Sequence, residues 1–383
     1  MTGSPLAGAA LAAGFPAVWL RHNCPCPDCR DPVTGQRLVE ITSIPNGTAV
    51  TVTGQDDDTV EVTFTPDGHR SAFGRAWLQA HALPAESAAG TAGGTVTGAD
   101  PRTEDGKVLW RAADLPAVPA AGWDGYRGDD AVRERCLDAV VRHGCVLLRG
   151  VPASAGTVLA VAETFGYVRE TNYGRLFDVR AVPDPANLAF TSREIPPHTD
   201  NPYRDPVPTL QLLHCLRDAT AGGNAAGGDT VLVDGFAAAA ALRDADPVLF
   251  GVATGTPVPF GYIDQGTELT AEQPLITLSP RGRISCVRLN NRSMRPPRLP
   301  FPQAEAVYAA CRAWTEMTGL PEFRLRLRLA PGDCLIVDNT RILHARTAYS
   351  PTGERHLQGC YADMDGLLST LAVLRRARAR QAG

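Results

Sequence analysis

Phe323-Arg-Leu-Arg-Leu-Arg-Leu329 alternates apolar and cationic side chains without a break. At the strand period of two, every Leu falls on one face and every Arg on the other, the pattern of an antiparallel strand with one buried face. A helix would spread the same arginines around its circumference. Leu210-Gln-Leu-Leu213, Thr230-Val-Leu-Val233, Ile284-Ser-Cys-Val-Arg-Leu289 and Cys334-Leu-Ile-Val337 are further short strand-like runs. Helical signals are fewer. Asp129 caps a stripe of Val132, Cys136, Ala139 and Val140 that Gly144 stops, and it leads straight into the buried strand Cys145-Val-Leu-Leu148. Other helices are expected over 158–165, about 236–250 and 303–318. Many strands with few crossover helices predict a mainly β fold with flanking helices, built as a closed or double-sheet core.

The chain has 383 residues, 44% hydrophobic and 20% charged, with a formal net charge of -4. That is enough for one large core and a smaller domain. The mild acidity and the lack of a basic run argue against nucleic acid as the partner. No apolar run approaches the roughly 20 residues a membrane span needs, and Met1-Thr-Gly-Ser-Pro5 does not open a signal peptide, so a cytoplasmic protein is expected. Of ten cysteines, seven (Cys136, Cys145, Cys215, Cys286, Cys311, Cys334, Cys360) are scattered among apolar neighbours and read as buried free thiols.

The other three form Cys24-Pro-Cys26-Pro-Asp-Cys29. Three sulfurs this close can wrap one zinc ion, and a structural site needs a fourth ligand. His22, His69 and His81 are the candidates. Val50-Thr-Val52 and Val60-Glu-Val-Thr-Phe64 alternate as strands and end in a Pro66-Asp-Gly68 turn, so a hairpin can carry His69 back to the cysteines. His22 lies too near Cys24 to close a tetrahedron easily, and His81 continues a helical-looking Ala72–Ala80 stretch. Zinc held by the three cysteines and His69 is the preferred reading over reduced thiols or a disulfide. The Gly/Ala/Thr-rich segment from about 85 to 106 has no hydrophobic period and reads as a linker, dividing a zinc-binding unit (1–105) from the larger remainder of the chain (106–383).

A second metal signal lies in Thr191-Ser-Arg-Glu-Ile-Pro-Pro-His-Thr-Asp-Asn-Pro-Tyr203. In extended backbone His198 and Asp200 share a face while Thr199 turns away. A second His from another element would complete a two-His, one-carboxylate face that leaves iron positions open. His344, in Asp338-Asn-Thr-Arg-Ile-Leu-His344, is the best candidate.

His-x-Asp, a His 144 residues after Asp200 and an Arg 11 residues after that His together resemble the Fe(II)/2-oxoglutarate-dependent dioxygenases of the taurine-dioxygenase type. Further motifs are similar to the γ-butyrobetaine hydroxylase family: Trp19-Leu-Arg-His-Asn-Cys-Pro-Cys-Pro-Asp-Cys29, Thr171-Asn-Tyr-Gly-Arg-Leu-Phe177, Gln211-Leu-Leu-His-Cys215, Gly228-Asp-Thr-Val-Leu-Val-Asp-Gly235 and Arg355-His-Leu-Gln-Gly-Cys-Tyr-Ala-Asp363. The resemblance spans roughly 15–375. It implies a double-stranded β-helix (jelly-roll) catalytic core behind a small zinc-binding β-rich N-terminal domain, and a homodimer. It makes His198, Asp200 and His344 the iron ligands and Cys24, Cys26, Cys29 and His69 the zinc ligands. Arg355, helped by Thr230, would hold 2-oxoglutarate, for whose distal carboxylate a planar fork fits well. The implied reaction consumes O2, decarboxylates 2-oxoglutarate to succinate and oxidises one substrate C–H bond, by default to an alcohol.

By the same resemblance the substrate is a small trimethylammonium zwitterion. Tyr173, Phe177, Phe190 and Tyr361 would cage the cation, since ring faces attract a quaternary ammonium that cannot donate hydrogen bonds. Phe177 and Phe190 stand where the animal enzymes have tryptophan and tyrosine. Asn187, Asn290, Asn291 and Arg292 would meet the anionic end, and Asn201-Pro-Tyr203 would line the mouth. Arg292 suits a tetrahedral dianion, and Asn291-Arg292 is similar to bacterial relatives that oxidise 2-(trimethylammonio)ethylphosphonate, so a phosphonate is placed narrowly ahead of a carboxylate such as γ-butyrobetaine. A non-catalytic metal-binding protein would be expected to lack one of the iron ligands. A site that does without 2-oxoglutarate would have no use for Arg355.

Overall fold

The computed structural model describes residues 14–83, 103–104, 106–180, 191–218, 227–349 and 355–382. Most of the segment read as a linker lies outside the described residues.

Two sheets face each other. The smaller runs Ile195–His198, Ile342–Arg346, Thr230–Asp234, Arg324–Leu327, and every pairing in it is antiparallel. The larger, seven-stranded sheet runs Ala120–Gly122, Cys145–Arg149, Cys334–Asp338, Leu210–Arg217, His356–Ala362, Val168–Arg169, with Phe177–Val179 also paired to His356–Ala362. Alternation sorts their residues into layers. Leu213, Cys215, Leu335, Val337 and Leu357 of the large sheet meet Leu232, Leu325 and Ile342 of the small one in a shared inner core. Leu210, Leu212, Cys334, Ile336 and Cys360 point the other way, against helices Asp130–His143, Thr157–Ala162 and Met364–Ala382. This explains the unbroken apolar run Cys334-Leu-Ile-Val337: both of its faces are covered. Val233 and Leu343 on the outside of the small sheet are covered by helices Gly235–Ala245, Pro247–Gly255 and Phe301–Gly319. The arrangement is the expected jelly roll with flanking helices.

The local signals act largely as read. Asp129 accepts from the amides of Ala131 and Val132 to cap Asp130–His143, and Gly144 ends that helix with φ +80°. Arg324–Leu327 is an edge strand with Leu325 buried and Arg326 exposed. Its predecessor Phe323 closes a one-turn 3-10 helix instead of extending the strand. The helix expected over 236–250 is two helices, parted where Asp246 caps the second and Pro247 opens it. Ile284–Val287 lies outside both main sheets, in a ribbon with Ile276–Leu278.

Near the N-terminus, Ala49–Gln55, Thr59–Thr65 and Arg70–Gly74 form a three-stranded antiparallel sheet. The helical reading of 72–80 is corrected here. Ser71 and Phe73 alternate inward on the third strand, and the helix begins only at Arg75. This unit's core, built on Trp19, Leu20, Ile44, Phe64 and Leu78, also takes in Ala304 and Tyr308 from helix Phe301–Gly319. No helix among the described residues is long and apolar enough to cross a membrane.

Candidate metal centres and substrate cavity

The prolines of Ile195-Pro-Pro-His198 cannot donate to a ladder, which suits an edge strand. The register slips by one residue between Ile195↔Arg346 and His198↔His344, a bulge that sets His198 directly opposite His344. Their rings lie 4.2 Å apart between centroids. His198 Nδ1 sits 2.9 Å from the carbonyl of Pro196, to which it donates, so Nε2 keeps its lone pair and faces Asp200 Oδ1 at 3.4 Å. His344 Nε2 lies 4.0 Å from Asp200 Oδ2. Burial, reinforced by Arg292, lowers the pKa of His198. Burial and then His198 push that of His344 down to about 3, so both rings are neutral donors at pH 7. Burial opposes ionisation of Asp200, but in the acid range where it titrates the two rings are protonated, and there hydrogen bonding to His198 and the charge of His344 outweigh burial and hold the carboxyl well below the usual range.

Asp200 is braced from three sides. Asn339 accepts from its amide at 2.8 Å and donates to its carbonyl at 3.0 Å. Gln211 Nε2 and the Tyr361 hydroxyl donate to its Oδ2 at 2.6 and 2.9 Å. Gln211 and Tyr361 are themselves cross-strand partners on the inner face of the large sheet, so that sheet reaches over to fix a ligand carried by the small one. Sequence reasoning missed the roles of Gln211 and Asn339. Gln211 stands out in the sequence as a polar residue within an apolar strand.

The site opens into a cavity of about 1110 Å³. Arg355 and Thr230 line it, and Arg355 Nη1 is buried with no hydrogen-bond partner among the described residues. Five rings form a continuous aromatic wall. Tyr361 and Phe177 are 5.0 Å apart, Phe177 and Tyr173 6.2 Å, Tyr173 and Tyr262 5.6 Å, and Tyr262 and Tyr203 5.2 Å. Phe177 lies directly over Gly359, where an added Cβ would come within 2.4 Å of its ring. Tyr262 belongs to the Val258–Ile263 strand of a hairpin that carries no sequence signal strong enough to announce it. Asn187 and Phe190 fall outside the described residues.

The anionic-end candidates separate. Arg292 lines the cavity with Nη1 shut off from solvent and without a hydrogen-bond partner among the described residues. Asn290 also lines it, but its side chain is committed to the carbonyl of Thr199 and the amide of Ser293. Asn291 points away from the cavity: its amide donates to the carbonyl of Val39, and its Oδ1 accepts from His22 and Arg37. Its assignment as a substrate contact is corrected to a contact between the N-terminal unit and the core, because side chains of adjacent residues diverge in this turn.

The second cluster brings Cys24, Cys26, Cys29 and His69 together. His69 Nε2 is 3.2, 3.5 and 3.5 Å from the three sulfurs. A zinc tetrahedron with ordinary bond lengths has sulfur–nitrogen edges of about 3.5 Å, so the four atoms fit that ion. The hairpin turn delivers His69 as expected. His22 is bonded to Asn291 and His81 stacks on Trp77, which removes both from the ligand set.

Two imidazole nitrogens and one carboxylate oxygen on a single face, with room beyond them, define a non-haem Fe(II) oxygenase site. The chain belongs to the taurine catabolism dioxygenase TauD, TfdA family, which matches residues 113–361, and a γ-butyrobetaine hydroxylase-like N-terminal region matches 10–87. It is 36% identical to the gamma-butyrobetaine dioxygenase of Pseudomonas sp. (strain AK-1), over 97% of both chains. It is 28% identical to the Homo sapiens gamma-butyrobetaine dioxygenase, covering 94% of this chain and 91% of that one. A solved structure of asparagine oxygenase in complex with Fe(II), 2S,3S-3-hydroxyasparagine and succinate aligns with a TM-score of 0.47 at 20% identity, over 61% of this chain and 80% of its own. The protein is an Fe(II)/2-oxoglutarate-dependent dioxygenase.

Proposed function

We propose that this dioxygenase oxidises one C–H bond of a small trimethylammonium zwitterion, its cation against the aromatic wall and its anion at Arg292. The observation that carries the reading is that one cavity holds the His198-Asp200-His344 face, five clustered rings and a guanidinium with a buried nitrogen that has no partner among the described residues. Ring faces recognise a cation that offers no hydrogen bond, and an unpartnered buried Arg atom calls for an anion. 2-(Trimethylammonio)ethylphosphonate is the substrate put forward, because the guanidinium fork matches tetrahedral oxygens. A carboxylate, γ-butyrobetaine, is the second reading, favoured by the activity after which the Pseudomonas and human relatives are named.

When bound, iron and 2-oxoglutarate supply the oxidation, coupled to decarboxylation of the cosubstrate. His198, Asp200 and His344 would hold the metal, with Tyr361 and Gln211 keeping Asp200 Oδ2 in place. Arg355 and Thr230 would take the cosubstrate's distal carboxylate. Leu213 and Leu357 give the cavity an apolar floor that limits water. The division into a zinc-binding unit (1–105) and an oxygenase unit (106–383), and assembly as a homodimer, are parts of the same proposal.

The test is a panel of trimethylammonium phosphonates and carboxylates with Fe(II), 2-oxoglutarate and O2, reading succinate release and product mass. At least one member should raise succinate well above the substrate-free background and gain oxygen or lose hydrogen. Failure of the whole panel would overturn the substrate class. An R292A variant should raise KM for a phosphonate far more than for a carboxylate, and equal effects would remove the case for the phosphonate.

A further inference from the structure

Arg37 is 3% exposed, and the described structure records no hydrogen bond or ion pair between it and a carboxylate. Such a group is expensive to bury unless its donors are satisfied. They are, by two segments distant in sequence. Nε donates to the carbonyl of His22 at 2.8 Å, and Nη2 to Asn23 Oδ1 at 2.9 Å, just before the first cysteine of the metal cluster. Nη1 donates to the carbonyl and Oδ1 of Asn291 at 2.5 and 3.2 Å, and Nη2 to the carbonyl of Met294 at 3.3 Å. The turn gripped in this way is the one that presents Arg292 to the cavity. The next residues inward are also tied down, since the Thr199 amide donates to the carbonyl of Leu289 and Asn290 donates to the carbonyl of Thr199.

We propose that Arg37 is a positioning residue for substrate recognition: its guanidinium fixes the 291–294 turn against the N-terminal unit and so aims Arg292 at the anionic end of the substrate. The inference rests on Arg292 as the anion contact. Thr230 opens strand Thr230–Asp234, Arg355 immediately precedes strand His356–Ala362, and neither receives a hydrogen bond from Arg37, so the cosubstrate site is independent of it. The fork is essential to the role. Lysine keeps the charge but cannot hold five acceptors in two directions.

The experiment compares R37K with wild type as full-length, zinc-loaded and iron-loaded protein, with N23A as a milder second variant that removes one acceptor. Hydrogen–deuterium exchange, which needs no substrate, should rise over 289–296 in R37K and to a lesser degree in N23A, while 342–346 stays protected. In turnover with whichever panel member is active, KM for the substrate should rise about tenfold in R37K, with kcat and KM for 2-oxoglutarate within about twofold. Inhibition by tetramethylammonium, which has no anionic end, should be unchanged. Unaltered exchange over 289–296 in both variants would overturn the proposal. So would a rise in KM for 2-oxoglutarate or a loss of tetramethylammonium binding equal to the loss for the zwitterion, since either would mark general loosening. A panel with no active member would sink the substrate reading, and the exchange result would still decide whether Arg37 holds the turn.

Discussion

The two oxygens of Asp200 have different neighbours. Oδ1 faces His198 Nε2, while Oδ2 accepts from Gln211 and Tyr361. A carboxylate steadied through one oxygen presents the other in a constant direction, which is what a ligand outside regular strand structure requires. Y361F keeps the ring in the aromatic wall and removes only the hydroxyl, so it should weaken Fe(II) binding by about tenfold, within the range seen when a partner of a metal ligand is lost. Anaerobic titration of the metal-free protein measures this, and an unchanged affinity would show that Gln211 alone suffices. The shifts of the two histidines give a pH prediction with a definite sign. Burial places both below the ordinary histidine value of 6.5, and His344 at about 3, so between those limits the folded state binds fewer protons than the unfolded chain. Stability of the metal-free protein is therefore full above 6.5 and is lost as pH falls toward the folded values. Fe(II) affinity should stay nearly flat from pH 7.5 to 6, where two exposed histidines would lose roughly tenfold or more. Titrations at the two pH values distinguish these outcomes. The ligands themselves were legible in the sequence because few residue types can bind these metals. Gln211, Asn339 and Tyr262 were not, because their roles arise from register between strands far apart in the chain.

Among the elements, Thr230–Asp234 and the helix that follows it show how one residue can join several parts. Asp234 accepts from the amide of Phe236 at the start of helix Gly235–Ala245, accepts from the amide of Trp110, and pairs with Arg341 at 2.7 Å. Both side chains of the pair are wholly buried. Arg341 also donates to the carbonyls of Arg142 and Val108, so helix Asp130–His143 meets the core here. D234A would strand a buried guanidinium at a cost of about 3–5 kcal/mol, a fall in Tm of roughly 4–6 °C for a chain of this size. Thermal unfolding of D234A beside D234N, which keeps some of the acceptors, checks the figure. A shift under about 1 °C would mean that the backbone carbonyls satisfy Arg341 unaided. Strands were legible where both faces are apolar or where Arg and Leu alternate. The Val258–Ile263 hairpin was not, because Pro259 and Gly261 interrupt its pattern and tertiary contacts supply what propensity lacks.

At the scale of the whole molecule, helix Phe301–Gly319 is shared. Val307, Ala310, Cys311 and Trp314 pack against the outer face of the small sheet, while Ala304 and Tyr308 belong to the core of the N-terminal unit. Asn23, beside the cysteine cluster, donates to the Tyr308 hydroxyl at 2.6 Å, and the Trp19 indole donates to the carbonyl of Pro297 at 3.3 Å. A unit joined to its neighbour only by a flexible tether would unfold separately, because few contacts would be lost to the rest. Here the same helix would lose one covered face, so unfolding of the N-terminal unit should propagate into the oxygenase core. H69A removes one of four ligands and should lower zinc from about one per chain to a small fraction, taking with it binding energy of the order of 10 kcal/mol. Calorimetry of H69A should then show one transition moved to lower temperature as a whole, with iron-site occupancy lost along that same transition. A separate low-temperature transition ahead of an unmoved main one would show instead that the shared helix transmits little, and that the zinc unit stands on its own.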